Sequence, residues 1–251
     1  MLKRFFYLFI ISLISTTANA QTFGFGCLGL VGGYGGYSYQ KYKPTGLNNF
    51  ISDFNLNKKT SLTSPMKEFG EARGFRAGIN FFRANFKGVF VTAKGFYESL
   101  QEKHDAVNRL SDNSTANYIY EVKLQNYGLG IDVGIDITKF IGWKIFDVAL
   151  HFNNVSFSQT ENLPGETKIK KFNHKPTALS YSIATGVILS LIENYISIEG
   201  LAGVTILKIT DLKTDQDELL TATENSITPM NNFIESGGFT AVVQLNVGFP
   251  L

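Results

Sequence analysis

Residues 126–137 read NYGLGIDVGIDI. In an extended chain, Tyr127, Leu129, Ile131, Val133, Ile135 and Ile137 share one side, and Asn126, Gly128, Gly130, Asp132, Gly134 and Asp136 share the other. Helix is disfavoured by the glycines, and the period of two is that of a strand. A soluble sheet packs its apolar face on a core and wets the polar one. A membrane barrel turns hydrocarbon outward and keeps polar groups within. The small, polar side suits the interior of a narrow tube better than a solvent face, where Lys and Glu would be commoner. The choice between these two solutions governs everything else that can be read from the chain.

The N-terminus, MLKRFFYLFIISLISTTANA, has a basic start at Lys3 and Arg4, a short apolar run, and small residues at Ala18 and Ala20. This is the pattern of a secretory signal peptide over residues 1–20, and its apolar run is too short to span a bilayer as a helix. With Lys3 and Arg4 removed, the other Lys and Arg side chains balance the 21 acidic ones. Such a balance offers no basic stripe for nucleic acid. Cys27 is the only cysteine, which excludes an internal disulfide framework. It follows Gly24-Phe25-Gly26, some residues past the apolar run, so it reads as a strand residue and not as a lipidation site. No later segment has the length of apolar sequence that a transmembrane helix needs.

Eight alternating segments follow, at 26–40, 71–82, 86–100, 118–137, 143–158, 177–191, 195–210 and 237–249. The connections alternate in length. Short reversals are predicted at 83–85, 138–142 and 192–194, and long polar loops at about 41–70, 101–117, 159–176 and 211–236. Within the first long loop, 47–56 has the pattern of a helical turn or two. Apolar parity changes at Asn126–Tyr127, where either a bulge or a change of environment accounts for it. It also changes at Asn153–Asn154. Tyr118, Tyr120, Trp143, Tyr195 and Phe249 fall near strand ends, where interfacial aromatic girdles sit. The expected fold is all-β: an eight-stranded antiparallel transmembrane barrel of up-and-down topology, with both termini in the periplasm. The competing fold is a secreted sandwich or lipocalin-like barrel. Against it stand strands of about twelve to sixteen residues, long for a soluble sheet, and the placement of every long loop at one end.

The leader, the strand pattern and the terminal QLNVGFPL together resemble the small eight-stranded outer-membrane β-barrel proteins of Gram-negative bacteria, and most closely the outer membrane protein beta-barrel domain set common in Bacteroidetes-type bacteria. Phe249 is followed by Pro250 and Leu251, which departs from the final aromatic usual in that group. The resemblance implies a location in the cell outer membrane and contact with its lipids and lipopolysaccharide. It carries over no catalytic residues.

Arg76, Asp132, Asp136, Asp147, His151 and Glu199 are the expected polar interior. Opposite charges there should pair, since unpaired buried charge is costly, and Arg76 is expected to meet one or more of these acids. Eight strands leave room for side chains or one small ligand. No G-x-S-x-G elbow occurs, and His104, His151 and His174 lack metal-site spacing. Asp147 and His151 lie too far apart along one strand to touch, whereas contact of His151 with Ser180 or Ser182 depends on register. The reading is a monomeric, non-enzymatic barrel with no cofactor and no metal. Its role is structural or rests on binding by surface loops, with an extracellular or periplasmic protein partner left open. A lipid-modifying enzyme, a narrow solute channel and a component of a secretion or gliding assembly are the alternatives. The run KIKKFNHK at 168–175 reads as a solvated rim near anionic head groups.

Overall fold

The computed structural model describes residues 32–248 apart from 176, 194 and 225. The proposed leader, Cys27, the start of the first predicted strand and the terminal Phe249 lie outside the described residues. The strands are β1 (Gly32–Lys43), β2 (Leu62–Ser64), β3 (Glu71–Phe86), β4 (Val89–Arg109), β5 (Thr115–Asp136), β6 (Ile141–Leu163), β7 (Glu166–Asn173), β8 (Ala178–Ile192), β9 (Ile196–Ile206) and β10 (Ser236–Gly248), and one helix, α1, covers Thr45–Asn57. Antiparallel pairing runs β3-β1-β10-β9-β8-β6-β5 and closes through β5–β4 and β4–β3. That ring is an eight-stranded up-and-down barrel. The remaining two strands are accessory: β2 pairs with the outer end of β4, and β7 with the outer end of β6.

Closure rules out the sandwich, and the wall shows which solvent the barrel meets. Tyr127, Leu129 and Ile131 are 59%, 56% and 56% exposed, and Ile183, Tyr181, Val243 and Leu245 are similarly bare on the opposite wall. Tyr37, Phe75, Tyr97, Tyr127 and Phe152 stand on successive strands as an outer aromatic ring, with Tyr97 centred 5.9 Å from Phe75 and 5.2 Å from Tyr127. Trp143, Tyr195, Phe86 and Phe140 are exposed toward the other end. The outward apolar run from Tyr127 to Ile137 spans about 11 residues, the length a tilted strand needs to cross the hydrocarbon layer. The molecule is an outer-membrane β-barrel, with the short turns and both described chain ends at its periplasmic end.

Trp143 and Tyr195 stand near the periplasmic end, as girdle residues should. Tyr118 and Tyr120 do not: both are buried inside, above the membrane. The first reversal is also displaced. It lies at Lys87-Gly88, both with positive φ (53° and 87°), the two-residue turn that suits strand twist, while residues 83–85 continue β3. Two predicted long loops are strand instead. β4 and β5 run on to Arg109 and from Thr115, and β6 continues to Leu163 before turning into β7. Polar composition there marks a wet outer face and not a loop.

The parity change at Asn126–Tyr127 has no bulge behind it. The β5–β6 register is continuous from Asn117↔Asn162 to Val133↔Phe146. Below Asn126 the inner face is Gly and Asp; above it, the same face carries Leu124, Val122, Tyr120, Tyr118 and Ala116, all buried. β6 behaves likewise, with Val155 and Phe157 inward on the same face as Asp147 and His151, so the apolar parity changes at Asn153–Asn154 while the register does not slip. Inside the membrane the tube is oily outside and polar within. Outside it, the same strands are polar outside and oily within.

That outer interior is filled mainly from two sources, with Met66 and Phe69 beside them. α1 supplies Leu47, Phe50, Ile51 and Phe54 at helical spacing, and the segment 207–235 supplies Leu207, Ile209, Leu212, Leu220, Met230, Phe233 and Ile234. Burying each such large side chain is worth about 1.5–3 kcal/mol. The helix is thus a full three turns with a structural role, and not an isolated turn in a polar loop. Asn48 exchanges two hydrogen bonds of 2.9 Å with the backbone of Phe69, and Asn55 exchanges two with Met66, at 2.8 and 2.9 Å. These two amides, seven residues apart, fasten 66–69 along the helix.

The inward glycines of the opening segment have a steric role. A Cβ at Gly128 would lie 2.0 Å from the Phe96 ring, and one at Gly134 would lie 2.3 Å from the Phe90 ring. Each glycine is a slot for an aromatic ring from β4. Gly128→Ala is therefore expected to cost about 1–3 kcal/mol by overpacking, read as a lower urea midpoint for loss of heat-modifiable gel mobility. An unchanged midpoint would refute the slot.

Candidate functional site: the filled lumen and its outer cap

Two tiers of charge occupy the lumen. In the upper tier, Arg76 on β3 meets Glu98 on β4, with Nη2 and Nε at 2.9 and 3.0 Å from Oε1. Glu98 also accepts from the Ser38 hydroxyl, and from Asn126 Nδ2 at 3.0 Å. The Arg76 guanidinium lies 4.3 Å from the Phe96 ring centre, and Phe96 stands edge-on to His151. In the lower tier, Lys144 Nζ contacts Asp132 at 2.9 Å, Glu199 at 2.6 Å and Asp147 at 3.7 Å. Lys94 pairs with Asp147 and approaches Asp132 at 3.6 Å. Asn246 donates to Glu199 at 3.3 Å.

Five of the six expected interior residues, Arg76, Asp132, Asp147, His151 and Glu199, are buried in this network. Asp136 is not among them. It is exposed at the periplasmic rim, where Asn85 donates to it at 2.8 Å. The expected partner of Arg76 also needs correction: it is Glu98, which faces inward on β4. Glu98 and Lys94 escape sequence reasoning because β4 alternates Val and Ala against Phe, Thr and Lys, so neither side declares itself.

Lys144 escapes for a sharper reason. Simple alternation puts it with Phe146 and Val148 on the lipid side. A bulge at Ile145–Phe146, visible as a register shift in both flanking pairings, rotates Lys144 inward. At the bulge a side chain reaches the Lys144 carbonyl. Thr185 Oγ1 donates to it at 2.7 Å and accepts from Trp143 Nε1 at 3.1 Å. The readable signal was the lysine itself, on a side where lipid tolerates none.

His151 meets Ser182, as register decides. The Asn126 amide nitrogen donates to Glu98, so its oxygen faces His151 Nδ1 at 3.2 Å, and Nε2 is then the acceptor for the Ser182 hydroxyl at 2.8 Å. Donors thus run in one direction, Ser182 to His151 to Asn126 to Glu98. This is the order of nucleophile, base and orienting group, held within the barrel interior. Among the described residues, no group of His, Cys, Asp and Glu has metal-site geometry.

Above the membrane, Glu102 ties the cap to the barrel. It accepts from Tyr42 Oη at 2.7 Å, from the backbone of Gly70 at 2.9 Å and of Glu71 at 2.8 Å, and contacts His104 Nε2 at 2.9 Å. Burial, then the Glu102 charge, raises the Tyr42 phenol well above its ordinary range. Burial, then Glu161, pushes Tyr118 up to about 12. Both hydroxyls therefore stay neutral in the dry interior at physiological pH.

No family model and no curated protein matches the chain. Solved structures of low similarity do. The attachment invasion locus protein Ail of Yersinia pestis is 11% identical over 87% of this chain and 97% of its own, with a TM-score of 0.40. The outer membrane protease OmpT from Escherichia coli is 9% identical over 88% and 94%, with a TM-score of 0.43. Neisserial surface protein A is 10% identical over 86% and 97%, with a TM-score of 0.33. Likeness of this degree carries no argument about activity, and the fold assignment rests on the closed register.

Removing one member of a buried pair strands the other. Glu98→Gln is expected to destabilise the barrel by about 3 kcal/mol by leaving Arg76 uncompensated. The double variant Arg76→Met/Glu98→Leu should lose less than Glu98→Gln alone. Urea unfolding of the detergent-refolded protein measures both, and equal losses would show that the pair is not a unit.

Proposed function

We propose that this chain is a closed outer-membrane anchor that carries a rigid binding platform at the cell surface. One observation supports the reading above all: the same strands that cross the membrane continue outward around a dry core sealed by α1 and residues 207–235. A conducting pore has no use for an apolar stopper, and a purely structural barrel has no use for strands of 21 to 23 residues. Lipopolysaccharide is the proposed neighbour at the outer ring. There Arg73 stacks 5.7 Å from Tyr39 and pairs with Glu71 at 3.2 Å, beside Lys41. Exposed cations just above an aromatic girdle suit anionic head groups. In planar bilayers the purified protein is expected to give no discrete conductance steps. Reproducible single-channel openings would overturn the closed-anchor reading.

A second reading, a hydrolase acting on an ester of lipid or other origin, is favoured by the Ser182–His151–Asn126 order alone. It predicts covalent labelling of Ser182 by a fluorophosphonate probe, lost in His151→Ala. Absence of labelling in folded protein removes it.

A further inference from the structure

β7 presents an open sheet edge on the platform, since it pairs with β6 alone. β6 turns into β7 through Pro164-Gly165, with Leu163 opposite Glu166. In such a two-residue hairpin the flanking residues exchange both ladder bonds, and every second pair thereafter does the same. Glu166, Lys168, Lys170 and Phe172 therefore spend their backbone groups on β6. Thr167, Ile169, Lys171 and Asn173 aim theirs the other way. Asn173 demonstrates this, since it exchanges two backbone bonds with Lys213, at 2.7 and 2.9 Å. The segment 213–219 then folds back on itself through Lys213↔Leu219. Among the described residues, no backbone partner reaches Thr167, Ile169 or Lys171.

We infer that this edge accepts an extended acidic polypeptide segment, added antiparallel to β7. Three residues with outward N–H and C=O groups are available in line with a pair the chain already makes to itself. Residues 166–171 are exposed on both faces, and Ile169 is 70% exposed. Charge selects the occupant. Lys168 and Lys170 stand on the inner face, and Lys171 on the outer. Their present partners, Glu166 and Glu218, are solvent-exposed at 3.4 and 3.0 Å, which makes these weak and exchangeable pairs. A second copy of this chain does not fit. Antiparallel self-pairing about Ile169 sets Lys168 of one copy opposite Lys170 of the other, and like charges directly opposite are destabilising. The favoured strand alternates acidic residues, opposite Lys168 and Lys170, with a β-branched residue opposite Ile169.

The inference deepens the platform reading and rests on it for the position of β7 outside the membrane. The test uses the full chain in nanodiscs and fluorescence anisotropy of a labelled probe, acetyl-Thr-Val-Glu-Val-Glu-Val-Thr-amide, with lysine replacing glutamate in the control. Ile169→Pro removes only an outward N–H and leaves the β6–β7 ladder intact. The wild type is expected to bind the acidic probe and to prefer it over the control by about tenfold or more, and Ile169→Pro to bind at least about tenfold more weakly. Ile169→Thr is expected to bind as the wild type does, and Lys168→Glu/Lys170→Glu to reverse the preference. Heat-modifiable mobility confirms folding of each variant. No binding by the wild type, equal binding of both probes, or undiminished binding by Ile169→Pro overturns the inference. Conductance is read separately, so a silent bilayer with no peptide binding refutes the edge and leaves the closed anchor standing.

Discussion

A peptide group in hydrocarbon has no water to pair with. Every N–H and C=O at membrane depth must therefore find a partner inside the molecule, and a closed ladder is how strands meet that demand. Here the ring β3-β1-β10-β9-β8-β6-β5-β4 leaves no edge within the wall. The β6 bulge, one of several register shifts in the ring, shows how side chains help to meet the demand. At the β6 bulge Thr185 donates to the Lys144 carbonyl, and Trp143 donates to Thr185. The free edges among the described residues belong to the accessory strands β2 and β7, above the membrane, where water solvates them.

Closure at eight strands leaves a lumen about as wide as its own side chains. The interior is consequently a packing problem as well as an electrostatic one. Gly128 and Gly134 hold the rings of Phe96 and Phe90, and the remaining space is taken by Arg76, Lys94 and Lys144 with four carboxylates. The charges keep the tube polar inside without leaving it open. Above the membrane the constraint reverses. The outer face meets water, so the inner face is free to become hydrocarbon, and α1 with 207–235 supplies the matching surface. One set of strands thus carries two opposite patterns joined at Asn126. The outer half is what makes a binding platform a more economical reading than a pore.

Alternation made the membrane-depth parts of the eight wall strands legible, because lipid imposes apolar character on every second position. It failed where alternation stopped being informative. β4 has side chains of mixed character on both faces, so Lys94 and Glu98 stayed hidden, and Arg76 lost its true partner. Tyr118 and Tyr120 resemble girdle residues in the sequence because a tyrosine near a strand end looks the same whether it faces lipid or a dry cap. The polar stretches at 101–117 and 159–176 looked like loops because their outward faces are wet, although their inward faces are strand-like. Asp136 shares the parity of Asp132 but stands one turn from the periplasm, so parity alone could not separate lumen from rim.

By itself the sequence determined much of the wall: the lipid-facing side of the regularly alternating strands, how many strands close the ring, and which end carries the short turns. Those follow from local period and from turn chemistry, both of which act between near neighbours. Tertiary structure alone decided the register, and with it every contact across strands. Glu98 beside Arg76, Ser182 beside His151, Lys144 swung inward by a bulge and α1 seated in the outer mouth all join residues far apart in the chain. A one-residue shift of any strand would turn its polar face to lipid, so these partnerships are settled only when the barrel closes.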